Sequence, residues 1–319
     1  TANHLELLLF KSEHEINPNQ ILDLDENHRS GDYWHVEVEG IGAGCCYCYR
    51  VFSKEKHQPT NDHSNKALLD PCARAIGGWS LYKRELAKGN SSNLHACLKG
   101  IVCEREQFDF ASHPRPKHAW HRTVVYELHL GGFTNSSDSK INAPNKGTFI
   151  GLIEKIPYLR DLGITTLELL PVFAFDSSDS PAGLENYWGY SPINWFTPHH
   201  NYIVGVDPLK AREQVRDLVA ACHDQGLEVL LDVVYNHTAE GPKEGPVISW
   251  RGFEKSIYYY QNKSGDYQDV SGCGNSIAAN RPLVRQLILE SMRCWAIELG
   301  IDGFRFDLGI ALSRGEDLS

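Results

Sequence analysis

Two rhythms of apolar and polar positions divide the chain. Over residues 1–110 short apolar stretches alternate with turns. "DYWHVEV" (32–38) puts Trp34, Val36 and Val38 on one face and Tyr33, His35 and Glu37 on the other, the period of a half-buried strand. "CCYCYRVF" (45–52) follows a glycine-rich turn, "GIGAG", as a hairpin partner would. "LHACLKGIVC" (94–103) predicts a further strand. Short strands spaced by turn signals predict an N-terminal β-sandwich over residues 1–115. "SHPRPKH" (112–118), with two prolines, reads as a linker.

From residue 119 the rhythm changes to apolar strands separated by helical periods. The strands are "TVVYELHL" (123–130), "TTLELLPVF" (165–173), "EVLLDVVYNH" (228–237) and "GFRFDLG" (303–309). Between them "FIGLIEKIPYLRDLG" (149–163) has helical spacing, with Pro157 predicting a kink. "AREQVRDLVAACHDQG" (211–226) and "RPLVRQLILESMRCWAIELG" (281–300) are amphipathic helices with glycine stops. Alternating strands and helices predict a parallel sheet. An open doubly wound sheet and a (β/α)8 barrel both satisfy that pattern. Polar residues at the strand ends (His129, Asp232, Asn236, His237, Arg305, Asp307) favour the barrel, although open sheets also place ligands there. No glycine-rich phosphate loop follows any of the strands.

Composition narrows the function more than the fold. The 319 residues carry a net charge of -10, which argues against a nucleic-acid partner. No apolar run is long enough to span a membrane. The nine cysteines are odd in number and irregularly spaced, unlike a secreted disulfide framework. "CCYC" (45–48) has no matching Cys/His pair at zinc-finger spacing. These cysteines read as small apolar residues of a buried strand in a reducing compartment.

Candidate chemistry lies at the strand ends. Arg305 and Asp307 are two apart, so they share a face of the fourth strand. A guanidinium beside a carboxylate favours its charged form, which suits a nucleophile. A buried ion pair that only fixes the strand explains the same spacing. Asp232 lies in an apolar run and needs hydrogen-bond partners there. His237 stands just past that strand, where it can meet a ligand hydroxyl, although a loop histidine with no role fits the same position. "ENYWGYSPINWFTPHHNY" (185–202), with Trp188 and Tyr190, gathers aromatic rings in a turn-rich segment. Flat ring faces with polar tips suit sugars, while core packing explains most of the same rings. "HH" (199–200) lacks metal-site spacing, and no metal or cofactor is expected.

"LDVVYNHTAEG", "NYWGYSPINWFTPH" and "GIDGFRFDL", in that order, resemble the α-amylase superfamily of glycoside hydrolases, specifically its isoamylase-type debranching enzymes of glycogen and starch. "SWRGFEKSIYYY" and "DVSGCGNS" are similar to the stretch between that group's third and fourth barrel strands, and "HRSGDYWHVEV", "YCYRV" and "LLDPCARAI" to its N-terminal carbohydrate-binding-type β-sandwich. The resemblance covers nearly the whole chain. It implies two domains: that sandwich over 1–115, and over 119–319 the first half of a (β/α)8 TIM barrel, truncated after the fourth strand.

The resemblance also implies site roles. Asp307 matches the nucleophile that forms a glycosyl-enzyme intermediate, and Arg305 the arginine that orients it. His237 matches a histidine contacting sugar hydroxyls, Asp232 its supporting aspartate, Tyr190 the aromatic platform under that sugar, and Trp188 a neighbouring substrate contact. The implied reaction is hydrolysis of α-1,6-glucosidic branches in glycogen- or starch-type glucans by a retaining double displacement. Other members of the superfamily, branching or trehalose-releasing, and a non-catalytic glucan-binding subunit are the alternatives. The implied location is the cytoplasm, or the plastid stroma of a plant or alga. "GNSIAAN" and "HLGGFT" depart from the group's commoner patterns. The family's acid/base glutamate comes from a fifth strand, beyond Ser319, so residues 1–319 alone are expected to be inactive and poorly soluble.

Overall fold

The computed structural model describes residues 2–53, 65–104 and 108–315; the last residues of the expected barrel domain, 316–319, lie outside them. The chain forms two compact units, which do not follow it in two blocks. One combines 1–104 with 237–284 and 314–319; the other combines 105–236 with 285–313.

The first unit is built on strands β1 (Ala2–Phe10), β2 (Gln20–Leu24), β3 (Arg29–Ser30), β4 (Tyr33–Trp34), β5 (Cys46–Ser53), β6 (Ile76–Gly77) and β7 (Lys99–Ile101). Five form an antiparallel sheet in the order β2-β1-β5-β7-β6, and β3 pairs with β4 in a separate ribbon. Leu5, Leu7, Leu9 and Leu24 make a core on one sheet face, against which Trp34, Val36 and Val38 pack. The alternation over 32–38 therefore does set an apolar face, but only Tyr33–Trp34 is strand.

The expected hairpin between 32–38 and 45–52 does not form. β5 pairs with β1 instead, with Leu7 opposite Tyr49 and Leu9 opposite Tyr47. β1 offers a ladder along its whole length, and its other face is also buried, with Leu8 and Phe10 fully covered. Residues 237–284 join this unit through backbone contacts such as Leu69 N–H to Ile248 O at 2.8 Å.

The second unit holds β8 (Val125–Leu128), β9 (Thr166–Leu169), β10 (Glu228–Val233) and β11 (Gly303–Phe306). They are parallel and lie in sequential order, β11-β10-β9-β8. A doubly wound sheet would reverse its order at a switch point; this one advances without reversal, as one half of a (β/α)8 barrel does.

The helices between the strands follow local chemistry. The segment 149–163 splits into Phe149–Ile153 and Ile156–Asp161. Pro157 falls in the first turn of the second piece, where its missing N–H costs nothing. The helix Lys210–Asp224 closes with Leu227 N–H on Cys222 O at 2.9 Å. Gly226, with φ +74°, supplies the left-handed residue that this closure requires. Behind the strands Trp195, Trp295, Tyr235 and Phe173 interlock, and Trp295 Nε1 donates to Trp195 O at 2.8 Å.

Candidate active site

Parallel strands end on one edge, so their C-terminal residues collect there. Along the β10–β11 ladder Asp232 stands opposite Arg305. The ladder continues one bond further, with Asp307 N–H on Val233 O at 3.0 Å. Arg305 Nη1 donates to both oxygens of Asp232, at 2.9 and 3.0 Å, and to Asp307 Oδ1 at 3.2 Å. One guanidinium thus bridges carboxylates on neighbouring strands.

Asp232 is buried, and the polar partners that its position demands are present. Tyr190 donates its hydroxyl to Asp232 Oδ2 at 2.5 Å. Burial raises the pKa of Asp232, while the bonds from Tyr190 and Arg305 work against that rise. The Tyr190 hydroxyl is pushed up by burial and then by its bond to Asp232, so it stays a donor. Asp307 is held from the other side by Asn236, whose Nδ2 donates to Asp307 Oδ2 at 2.9 Å and to its carbonyl at 2.8 Å. Each carboxylate oxygen of Asp307 therefore has its own donor, which fixes the orientation of the charged group. Leu308, the next residue, adopts φ +42°, ψ +45°. A leucine in that left-handed region is strained by about 1–2 kcal/mol, a tension often found beside functional groups.

Tyr190 owes its position to the preceding turn. Gly189 has φ +86°, and a Cβ there would lie 3.0 Å from Pro171 O. Trp188, on the other side of that glycine, is 63% exposed, and its ring lies 6.3 Å from that of Tyr190. His129, at the end of β8, stacks on Tyr187. Of the residues singled out in the sequence, Asp307, Arg305, Asp232, Tyr190 and Trp188 form one connected group. His237 is buried and belongs to the other compact unit. The sequence shows Asn236 only as one of the polar residues at the strand ends; its bond to Asp307 depends on β10 and β11 being neighbours.

Carboxyl oxygens of Glu127, Glu168 and Asp232 lie within 4.8 Å of one another. Register explains the first pair, since Glu127 stands opposite Glu168. Burial raises the pKa of Glu168, and the negative charges of Glu127 and Asp232 add to the effect. His4, Glu6 and Asp23 form a similar group on β1 and β2. Acidic side chains on adjacent strands gather this way without an ion, and no metal is assigned to either group. No helix among the described residues is long and apolar enough to cross a membrane.

The family model described as alpha amylase, catalytic domain, matches residues 128–268. Isoamylase 3, chloroplastic, of Oryza sativa subsp. japonica is 38% identical over 310 residues, which is 93% of this chain and 39% of that protein. A glycogen debranching enzyme of Yersinia enterocolitica is 37% identical over 98% of this chain and 48% of its own length. Among solved structures, a pullulanase from Paenibacillus barengoltzii in complex with maltohexaose and alpha-cyclodextrin superposes with a TM-score of 0.79 at 26% identity, covering 98% of this chain and 46% of that one. The chain spans less than half the length of these relatives. Parallel βα units in sequential order, a carboxylate–arginine–carboxylate bridge at the strand ends and these likenesses agree: the chain carries an alpha-amylase catalytic-domain segment and is similar over nearly all its length to isoamylases and glycogen debranching enzymes, which are glycoside hydrolases.

Proposed function

We propose that the full-length protein hydrolyses α-1,6-glucosidic branch linkages of glycogen- or starch-type α-glucans by a retaining double displacement, with Asp307 as nucleophile. The observation that carries this reading is the fixed Asp307, with Arg305 on one oxygen and Asn236 on the other. A nucleophilic carboxylate must be charged and aimed at the anomeric carbon, and two donors on separate oxygens supply that aim. Displacement breaks the glycosidic C–O bond as an Asp307 oxygen bonds to the sugar and the leaving oxygen takes a proton from a second carboxyl group; water, giving a proton back to that group, then replaces the aspartate, retaining configuration. Tyr190 and Trp188 provide flat faces for sugar rings, and Asp232 holds Tyr190 in place through its hydroxyl. His237 is proposed as a donor to sugar hydroxyls. The second carboxyl group, about 5–5.5 Å from the nucleophile in retaining enzymes, belongs in this reading to the length of the relatives that this chain does not span.

Residues 1–115 are proposed as a carbohydrate-binding-type β-sandwich and 119–319 as part of the barrel domain. The partner is a neutral branched glucan, consistent with the net charge of -10 and the absence of any need for a basic face. The names of the relatives, a chloroplastic isoamylase and a bacterial glycogen debranching enzyme, support a location in plastid or cytoplasm.

The test is release of linear chains from a branched glucan by the full-length protein and its Asp307→Asn variant. The variant is expected to lose at least about 1,000-fold, some 4 kcal/mol at 1.36 kcal/mol per decade. Equal debranching by both would remove the assignment.

A further inference from the structure

Tyr187 combines exposure with close restraint. The residue is 55% exposed. Its ring nonetheless stacks on His129, with centroids 4.0 Å apart and planes 30° from parallel. The two residues are 58 apart in sequence, and His129 Nε2 reaches the Tyr187 carbonyl at 2.8 Å. His129 Nδ1 accepts the Gly132 N–H at 2.9 Å, so the ring proton sits on Nε2 and is donated to Tyr187. Burial holds the pKa of His129 below the usual histidine value, which keeps this neutral form. Gly132 completes the restraint. A Cβ there would lie 2.1 Å from the Tyr187 hydroxyl oxygen, so the ring uses the space a larger residue would fill.

An open aromatic ring held this firmly loses little freedom when a flat ligand stacks on it. It is also continuous with the site. Trp188 is next in the chain and also exposed, its ring is near Tyr190, and Tyr190 is bonded to Asp232. Sugar rings present a C–H-rich face that stacks on such surfaces. We infer that Tyr187 is a second sugar platform, stacking an α-1,4-linked glucosyl unit beside the one over Tyr190, and that His129 and Gly132 are its positioning residues. This rests on the proposed α-glucan reading of the site.

The experiment measures maltotetraose binding by calorimetry to the full-length protein and four variants: Tyr187→Ala, Tyr187→Phe, Gly132→Ala and the double variant Gly132→Ala with Tyr187→Phe. Tyr187→Ala is expected to weaken binding about 5- to 10-fold, the scale of one aromatic contact. Tyr187→Phe keeps the ring and should bind like the parent. Gly132→Ala should weaken binding by displacing the ring. The double variant should restore binding, because it lacks the oxygen that the new methyl would strike. General damage from Gly132→Ala would not be rescued in this way. If the parent binds and Tyr187→Ala binds equally, or if the double variant fails to recover, the platform is wrong. No binding by the parent itself would overturn the α-glucan reading and the platform with it.

Discussion

Asn236 bonds both the side chain and the backbone of Asp307, through one amide nitrogen at 2.9 and 2.8 Å. The contact ties the loop after β10 to the residue that follows β11, 71 positions away in the chain. It holds both the carboxylate and its main chain, and rotation of the Asp307 side chain would break the bonds from Asn236 and Arg305 together.

Removing that donor should act on the chemical step. A hydrogen bond to a charged group contributes about 1.5–3 kcal/mol, so Asn236→Ala in the full-length protein is expected to lower kcat on branched glucan about 10- to 100-fold with KM little changed. Asn236→Asp should be worse, because it replaces a donor with a second negative charge beside Asp307. Steady-state kinetics of the two variants test this. A rise in KM with unchanged kcat would make Asn236 a substrate contact instead.

The same pair shows what sequence reasoning can reach. Parity alone puts Arg305 and Asp307 on one strand face, and an aspartate in an apolar run predicts that Asp232 has partners. Their linkage needs the register of β10 against β11, which no local pattern encodes. β1 escaped for a related reason. Both its faces are buried in a central strand, so "HLELLLF" shows a nearly continuous apolar run rather than clear alternation. The hairpin expected from a glycine-rich turn was lost to that strand. Pro157 was legible as a break, but its placement in the first turn of a new helix depended on where the chain turned back.

Glu240 is another residue whose role only the fold displays. It is 1% exposed. Its Oε1 accepts the N–H groups of Ile248 and Ser249, and its Oε2 accepts the Arg251 N–H, each at 2.8 Å. Oε2 also accepts the Tyr259 hydroxyl. Burial and then the charge of Glu240 push Tyr259 well up, so its hydroxyl remains a donor. A glutamine here would turn an NH2 group toward two donors. Each buried group left unpaired costs about 1–3 kcal/mol, so with two of them Glu240→Gln is expected to destabilise by at least about 2 kcal/mol. Thermal unfolding of parent and variant measures it; equal midpoints would mean that the loop 240–251 relaxes around the change.

Two adjacent histidines make the folded chain sensitive to acid. Burial holds His200 down to about 4 against an ordinary 6.5, and it lowers His199 further, with the adjacent His200 adding to the effect. Both are neutral in the folded chain near pH 6, whereas an unfolded histidine begins to take up protons there. Below pH 6.5 the unfolded state thus binds more protons than the folded one, and stability falls as pH falls until His200 itself titrates near 4. At about 1.4 kcal/mol per tenfold change in proton affinity, His200 alone accounts for up to about 3 kcal/mol across that window. Carboxyls whose pKa is raised by burial, Asp70 and Asp232, act in the opposite sense, because the folded state then binds the extra proton. The His200 share is isolated by comparing parent and His200→Gln at pH 7, 6, 5 and 4.5. The parent's unfolding midpoint should drop more steeply toward acid than the variant's. Parallel curves would show that His200 keeps an ordinary proton affinity in the fold.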